Sequence, residues 1–185
     1  MKQFLYILGL VFILSGIFTS CKQDTLTALH EDEVAARDKY IKNHNLSDFK
    51  DVSGIYFKDS IVGTGDTIKS GYQIKMVYKI TLLNGTAVFS NVDEYGRNYE
   101  EHNFYVDVSN DVVNASPVQQ IAGLHKGFKK MRVGGVAFMV IPSELAFQAI
   151  DNNSNYGIPR FSTLLVTMWA KKGYSPEEQK EQQQQ

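Results

Sequence analysis

Hydrophobic and polar positions alternate most regularly between Tyr72 and Leu83, where apolar side chains recur at every second residue. This period of two predicts a β-strand with one buried face. Asn84-Gly85 follows directly and is typical of a tight hairpin turn, so Thr86 to Phe89 is predicted to return as a partner strand. Shorter apolar runs predict further strands at 54–58, 104–108, 136–142 and 163–169.

A spacing of three and four replaces this alternation between Ser116 and Met131 and predicts a helix with one buried face. Ser116 and Gln119 have the spacing of a capping box at its start, and Gly134-Gly135 is typical of a helix end. The residues on the apolar face are Val118, Ile121, Leu124, Phe128 and Met131. Many strands and one central helix predict an α+β fold, in which an antiparallel β-sheet wraps around the helix.

The first 20 residues differ from the rest of the chain. Lys2 precedes an almost unbroken apolar run from Phe4 to Phe18, a pattern typical of a secretory signal peptide. A membrane-spanning helix would need roughly 20 apolar residues, and this run is shorter. Cys21, the only cysteine, follows two small residues in an arrangement that resembles a bacterial lipobox. The resemblance implies lipidation of Cys21, a location in the bacterial cell envelope and, because Lys22 follows the cysteine, anchoring to the outer membrane.

Residues 21–50 are interpreted as a lipidated tether that contains one helix. The apolar stripe of this helix is loose, so the segment is predicted to be a spacer that lifts the domain off the membrane. An arm for dimerisation or for gripping substrate is the alternative. Residues 51–172 are predicted to form the folded domain, and residues 173–185, which end in four glutamines, a disordered polar tail.

Composition and charge narrow the possible functions. A formal net charge of −1 without a basic stripe gives no reason to expect a nucleic-acid partner. A single cysteine excludes a disulfide framework. The acidic residues between Asp93 and His102 fit no metal-ligand spacing. We therefore expect neither a metal nor another cofactor.

Several motifs follow one another in a recognisable order from Gly54 to Lys171. The block from Gln120 to Phe147 contains the helix, a Val-Gly turn, a strand ending at Ile-Pro and a small-aromatic step. A Gly-x-Gly-Asp turn begins at Gly63, and Ile158 to Leu164 has the pattern Ile-Pro-x-x-small-x-Leu. This order of motifs resembles the FKBP-type peptidyl-prolyl cis-trans isomerases. The resemblance implies an FKBP-like fold and rotation about the peptide bond before proline. Its substrates would be proline-containing segments of exported proteins.

The resemblance also implies a proline pocket of aromatic and aliphatic side chains. Its principal members are Tyr78, Phe104, Ile121, Leu124 and Phe147. Further members are Phe89, Gln120, Ile158 and Val166. Without the resemblance, an ordinary core position explains Tyr78, Phe104 and Phe147 equally well and is the better explanation for Ile121, Leu124 and Val166.

Two departures from the family pattern bear on activity. Phe147 replaces a tyrosine, so the usual hydroxyl that binds the substrate carbonyl is absent. The family's Phe-Asp pair is represented either by Val88-Phe89 or, with one inserted residue, by Phe89-Ser90, and both alternatives lack the aspartate. The sequence thus predicts a weak isomerase. A non-catalytic FKBP-like peptide-binding or chaperone module and a scaffold lipoprotein of an envelope assembly are the alternatives.

Overall fold

The computed structural model describes residues 25–93, 99–108 and 116–184. Within these ranges, six strands form one antiparallel sheet with the order β1-β5-β6-β2-β3, and β4 also pairs with β2. The strands are β1 (Tyr56–Ile61), β2 (Gln73–Leu82), β3 (Ala87–Ser90), β4 (His102–Tyr105), β5 (Val136–Ile141) and β6 (Leu164–Tyr174).

Four α-helices accompany the sheet in the described part of the chain. They are α1 (25–43), α2 (Ala122–Phe128), α3 (Asn153–Tyr156) and α4 (Pro176–Gln183). Single 3₁₀ turns lie at Ser47–Phe49, Pro117–Gln120 and Ser143–Leu145. No helix in these ranges is both long enough and apolar enough to cross a bilayer. The predicted antiparallel sheet with a helix against it is confirmed.

β2 pairs with three other strands. β6 lies along one of its edges, and β3 and β4 lie one after the other along the opposite edge. The C-terminal half of β2 pairs with β3, and its N-terminal half pairs with β4. Asn91 fills the interruption between them with its side chain. Its Oδ1 accepts a hydrogen bond from the Tyr78 N–H at 2.7 Å, and its Nδ2 donates to the Met76 carbonyl at 2.9 Å. One side-chain amide thus replaces the peptide group that a continuous strand would supply.

α2 packs against one face of the sheet, and the main apolar core lies between the two. Its close approach depends on Gly123 and Gly127, one turn apart. A Cβ atom on Gly123 would overlap the Ile141 side chain, and one on Gly127 would overlap the Met139 sulfur. Larger residues here would push α2 away from β5 and open the core.

The predicted single helix from Ser116 to Met131 is wrong in one respect, because the structure divides it. A 3₁₀ turn precedes α2, and the Ser116 side chain makes no capping bond. Gln119 is buried instead of closing a capping box. Its Oε1 accepts from the Tyr105 N–H at 3.0 Å, and its Nε2 donates to the Tyr105 carbonyl at 2.5 Å. These two bonds tie the 3₁₀ turn to the end of β4.

Both ends of the described chain are more ordered than the sequence predicts. Ile41 and Leu46 pack with Tyr56 and Val140 in a second apolar cluster, so α1 lies against the sheet. At the other end, β6 continues to Tyr174 and α4 follows where a disordered tail was expected. Ser175 and Glu178 form a complete capping box there, which explains why a polar segment begins a helix.

Candidate functional site

Eight of the nine predicted pocket residues meet in one apolar cluster between the sheet and α2. The chain brings them from four strands, the start of α2 and the loop between β5 and β6. The cluster contains Tyr78, Phe104, Ile121, Leu124, Phe147, Ile158 and Val166, with Phe89 packed against it. Gln120 is the exception, because its side chain is exposed.

These side chains pack closely on one another. Phe104, Ile121, Ile158 and Val166 have no exposed surface, whereas Tyr78 and Phe147 retain 8% each. The backbone N–H of Ile121 donates to the Val118 carbonyl at 3.2 Å. A proline ring would therefore have to enter where Tyr78, Phe147 and the half-buried Phe89 reach the surface.

A β-bulge decides the position of Phe89. Ile80 pairs with Phe89 whereas Thr81 pairs with Ala87, so Val88 is an additional residue in β3. This bulge aims Phe89 at Phe147, with 6.3 Å between the ring centroids. Phe89, which both alternatives for the family's Phe-Asp pair include, therefore faces the cluster, and the residue that follows it is Ser90.

Ser90 is exposed, and its hydroxyl donates to the Val92 carbonyl at 3.1 Å. The Ser90 hydroxyl therefore stabilises the local turn after β3. An aspartate at this place would bring a charge to the cluster's edge, whereas Ser90 brings none. The edge is accordingly less polar than the family pattern implies.

Tyr156 is a member of this surface that the sequence did not identify. It lies on α3, with its ring centroid 5.2 Å from that of Phe89, and 39% of its surface is exposed. It thus continues the aromatic surface of Phe89 and Phe147 outward and adds a hydroxyl. The polar Asn-rich stretch around it reads as a solvated loop, and only the fold of the long loop brings Tyr156 beside Phe89.

Tyr78 contributes the hydroxyl within the cluster. Burial raises the pKa of Tyr78, so this hydroxyl stays protonated at neutral pH and can act as a hydrogen-bond donor. Its ring meets the His102 ring edge-on at 5.8 Å. The backbone of Tyr78 is held by Asn91, as described above, so the strand position of this residue is well defined.

His125 lies beside the cluster, with 15% of its side chain exposed. Its ring lies 4.7 Å from the Phe104 ring, its Nδ1 accepts from the Asp107 N–H at 2.9 Å, and its Nε2 donates to the Gln119 carbonyl at 2.8 Å. One ring nitrogen accepts a hydrogen bond and the other donates one, which is the pattern of a neutral imidazole. Burial lowers the pKa of His125, outweighing the opposing effects of Gln119 and Asp107. The residue supports the wall of the cluster behind Phe104.

Several solved structures share this fold. FkpA from Escherichia coli superimposes with a TM-score of 0.64 at 23% identity, over 83% of this chain and 65% of that chain. The chain thus spans just under two thirds of FkpA. A peptidyl-prolyl cis-trans isomerase from Pseudomonas syringae pv. tomato gives a TM-score of 0.60 at 17% identity, over 79% of this chain and 96% of that chain.

A plant protein is also similar. The N-terminal domain of FKBP42 from Arabidopsis thaliana has a TM-score of 0.54 at 16% identity, over 65% of this chain and 87% of that chain. No curated protein sequence matches the chain. The family model described as FKBP-type peptidyl-prolyl cis-trans isomerase matches residues 65–168, which include all nine predicted pocket residues.

Proposed function

Because the chain belongs to the FKBP-type peptidyl-prolyl cis-trans isomerases, we propose that it accelerates rotation about the peptide bond before proline in exported proteins. The observation that carries the proposal is the apolar cluster with its aromatic entrance. Tyr78, Phe89 and Phe147 come from separate parts of the chain and converge where the family's pocket is expected. The family supports the proposed type of activity, and the cluster supports its proposed location.

Rotation about a peptide bond needs no acid or base poised for proton transfer. Unaided prolyl isomerisation takes tens to hundreds of seconds, against a peptide barrier of roughly 18–20 kcal/mol. The half-rotated bond has lost amide resonance and is less polar than the planar form. An apolar cleft therefore binds the half-rotated bond better than either planar isomer, which accelerates the reaction by differential binding.

The proposed activity is weak, for a reason that two residues supply. Phe147 offers no hydroxyl to the substrate carbonyl, and Ser90 stands where an aspartate is usual. One missing hydrogen bond in a closed site costs about 1–3 kcal/mol, which corresponds to roughly a ten- to hundredfold loss in rate. Binding of the proline ring itself depends on apolar contacts and is less affected.

Isomerisation is tested by NMR exchange spectroscopy on a short peptide that contains one X-Pro bond, with the purified full chain in mild detergent. We expect the cis and trans resonances to exchange faster in proportion to protein concentration. A rate that stays at the uncatalysed value at high protein concentration would contradict the proposal.

A non-catalytic peptide-binding module is the second candidate, and the burial of the cluster favours it. Seven of the pocket side chains are 8% exposed or less, so they leave little open space in the absence of peptide. The same NMR samples separate the two functions. Peptide shifts that titrate with protein, without faster exchange, would support binding alone.

We also propose that the protein is a lipoprotein of the bacterial cell envelope, held by a lipid on Cys21. Residues 1–24 lie outside the described residues, so the proposal stands on the sequence pattern of signal peptide and lipobox. Mass spectrometry of the N-terminal peptide tests it. A diacylglyceryl-modified Cys21 is expected, with a Cys21→Ser variant as the unmodified control, and an unmodified Cys21 in membrane-extracted protein would contradict it.

A further inference from the structure

α1 meets the long loop between β5 and β6 through a set of charged and aromatic residues, here called the docking cluster. Its members are His30, Glu33 and Arg37 of α1, and Glu144, Phe161 and Thr163 of the loop. The helical residues lie three and four positions apart and therefore share one face of α1. This face is turned toward the loop.

Glu33 is the centre of the docking cluster. Only 8% of the residue is exposed, which is unusual for a glutamate unless it is paired. Arg37 Nη1 donates to both carboxylate oxygens of Glu33, at 3.1 and 3.3 Å, and the Thr163 hydroxyl donates to Oε1. The buried charge is thus compensated by one guanidinium and one hydroxyl.

Arg37 and His30 also contact the start of the loop. Arg37 Nη1 also donates to Glu144 Oε2 at 3.1 Å, and His30 Nε2 lies 3.1 Å from Glu144 Oε1. The His30 ring stacks on Phe161 at 5.0 Å with an interplanar angle of 22°. α1 therefore contacts Glu144 at the start of the loop and Phe161 and Thr163 at its end.

The segment between these two ends carries part of the candidate pocket and its entrance. Phe147, Tyr156 and Ile158 all lie on this segment, which contains little regular structure. Its ends are joined by the Phe161 N–H, which donates to the Gln148 carbonyl at 2.8 Å. Both of these residues have left-handed backbone angles, with φ of 51° and 53°. Such angles persist in non-glycine residues only when neighbouring contacts hold them.

We infer that α1 positions the pocket loop of the isomerase. Glu33 is the positioning residue, because it holds the end of the loop through Thr163 and pairs with Arg37, which holds the start of the loop through Glu144. The expected effect of Glu33 on activity rests on the proposed function. Its expected effect on the order of the loop rests on the contacts alone. Charge attraction between Arg37 and Glu144 holds the start of the loop against α1, and the bond from Thr163 to Glu33 and the stack of Phe161 on His30 hold its end.

A metal ion is a poorer explanation of the same residues. One ligand atom from each of His30, Glu33 and Glu144 lies within 4.8 Å of the others, which is close enough for a cation. Arg37, however, already donates to both carboxylates and supplies the positive charge that a metal would bring. The arrangement is complete as an ion-pair network.

The test compares Glu33→Gln with Glu31→Gln in the full chain. Both variants replace one carboxylate by an amide on α1, but Glu31 is exposed and lies outside the docking cluster. For Glu33→Gln we expect at least a fivefold loss of kcat/KM in the exchange assay and weaker peptide binding. We also expect at least tenfold faster hydrogen exchange at the Phe161 amide, with unchanged exchange in β2 and β6. Glu31→Gln should match the wild type in each measurement.

The outcomes separate this inference from the proposed function. An inactive wild type would overturn the proposed function, and amide exchange and peptide binding would still decide the role of α1. An active wild type whose Glu33→Gln variant keeps its activity and its Phe161 exchange rate would overturn the inference. If Glu33→Gln does not fold, Glu144→Gln is the second variant. It removes a partner of Arg37 and His30 at a half-exposed position and leaves the bond between Glu33 and Thr163 intact.

Discussion

Phe147 is the residue at which the candidate pocket departs most clearly from its family. The ring is 8% exposed and faces Phe89, so a hydroxyl at its para position would lie at the edge of the cluster. Phe147→Tyr should therefore restore the missing donor and raise kcat/KM by roughly tenfold, the lower end of what one hydrogen bond contributes in a closed site. Exchange spectroscopy on the X-Pro peptide measures the change.

The matched control is Phe138→Tyr, which adds the same hydroxyl to a ring that packs in the second apolar cluster. It should leave kcat/KM unchanged. Equal rates for Phe147→Tyr and the wild type would mean that catalysis does not depend on a donor at this position, or that the cluster binds peptide without turning it over.

Asn91 is the residue that keeps Tyr78 in place. Asn91→Ala would leave the Tyr78 N–H and the Met76 carbonyl without their partners, and each unsatisfied buried group costs about 1–3 kcal/mol. Because Asn91 is only partly buried, we expect the free energy of unfolding to fall by about 1–3 kcal/mol in total, as measured by urea denaturation. Asn103→Ala, an exposed position on β4, should change it by less than about 0.5 kcal/mol. Similar values for both variants would show that the Asn91 bonds do not contribute.

At the scale of elements, α2 and the 3₁₀ turn before it depend on a neutral His125. The pKa of His125 is lowered in the folded protein, chiefly by burial, whereas the unfolded chain takes up a proton near the ordinary value of about 6.5. Below that pH the unfolded state binds more protons than the folded state, so stability falls with falling pH. One such histidine removes at most about 1.4 kcal/mol between pH 7.5 and pH 5.5.

Urea denaturation at these two pH values measures the effect, and His125→Gln should show a smaller loss than the wild type. Carboxylates contribute little in this window because their unfolded pKa values lie near 4. His102, whose pKa burial also lowers, would account for a remaining slope. An identical loss in the variant and the wild type would contradict the assignment of the slope to His125.

The elements also show where sequence patterns suffice and where they do not. Strict alternation predicted β2, and Asn84-Gly85 predicted the turn after it, because both depend on residues adjacent in the chain. The bulge at Val88 and the division of the helix at Gln119 depend on pairing with Thr81 and Tyr105, which no local period reports. The resemblance to the family predicted that the pocket residues lie together, but it did not predict that Tyr156 lies beside them.

α1 is the clearest case of a missing long-range signal. Glu33 and Arg37 read as a solvated helical ion pair, and only the fold brings them to Glu144 and Thr163, more than a hundred residues away. The loose apolar stripe was a further reason to expect a spacer. In the structure it is sufficient, because Ile41 and the following Leu46 have a matching surface on Tyr56 and Val140.

For the whole molecule, the contacts of α1 and Leu46 with the domain determine where the folded unit begins. The predicted boundary at residue 51 cuts through the second apolar cluster and removes the docking cluster. Burying an aliphatic side chain contributes about 1.5–3 kcal/mol, so the loss of Ile41 and Leu46 alone amounts to roughly 3–6 kcal/mol. A chain that starts at residue 51 should therefore be less stable than the full chain by at least about 3 kcal/mol in urea denaturation.

Removal of α4 from the other end provides the control. None of its residues is buried, and its principal tie to the domain is Gln179 Nε2, which donates to the Gly71 and Tyr174 carbonyls at 2.9 and 3.0 Å. A chain ending at residue 175 should lose only about 1 kcal/mol, the contribution of a typical hydrogen bond. If the chain that starts at residue 51 were as stable as this control, α1 would be a separable tether after all, and its role in positioning the pocket loop would have to be abandoned with it.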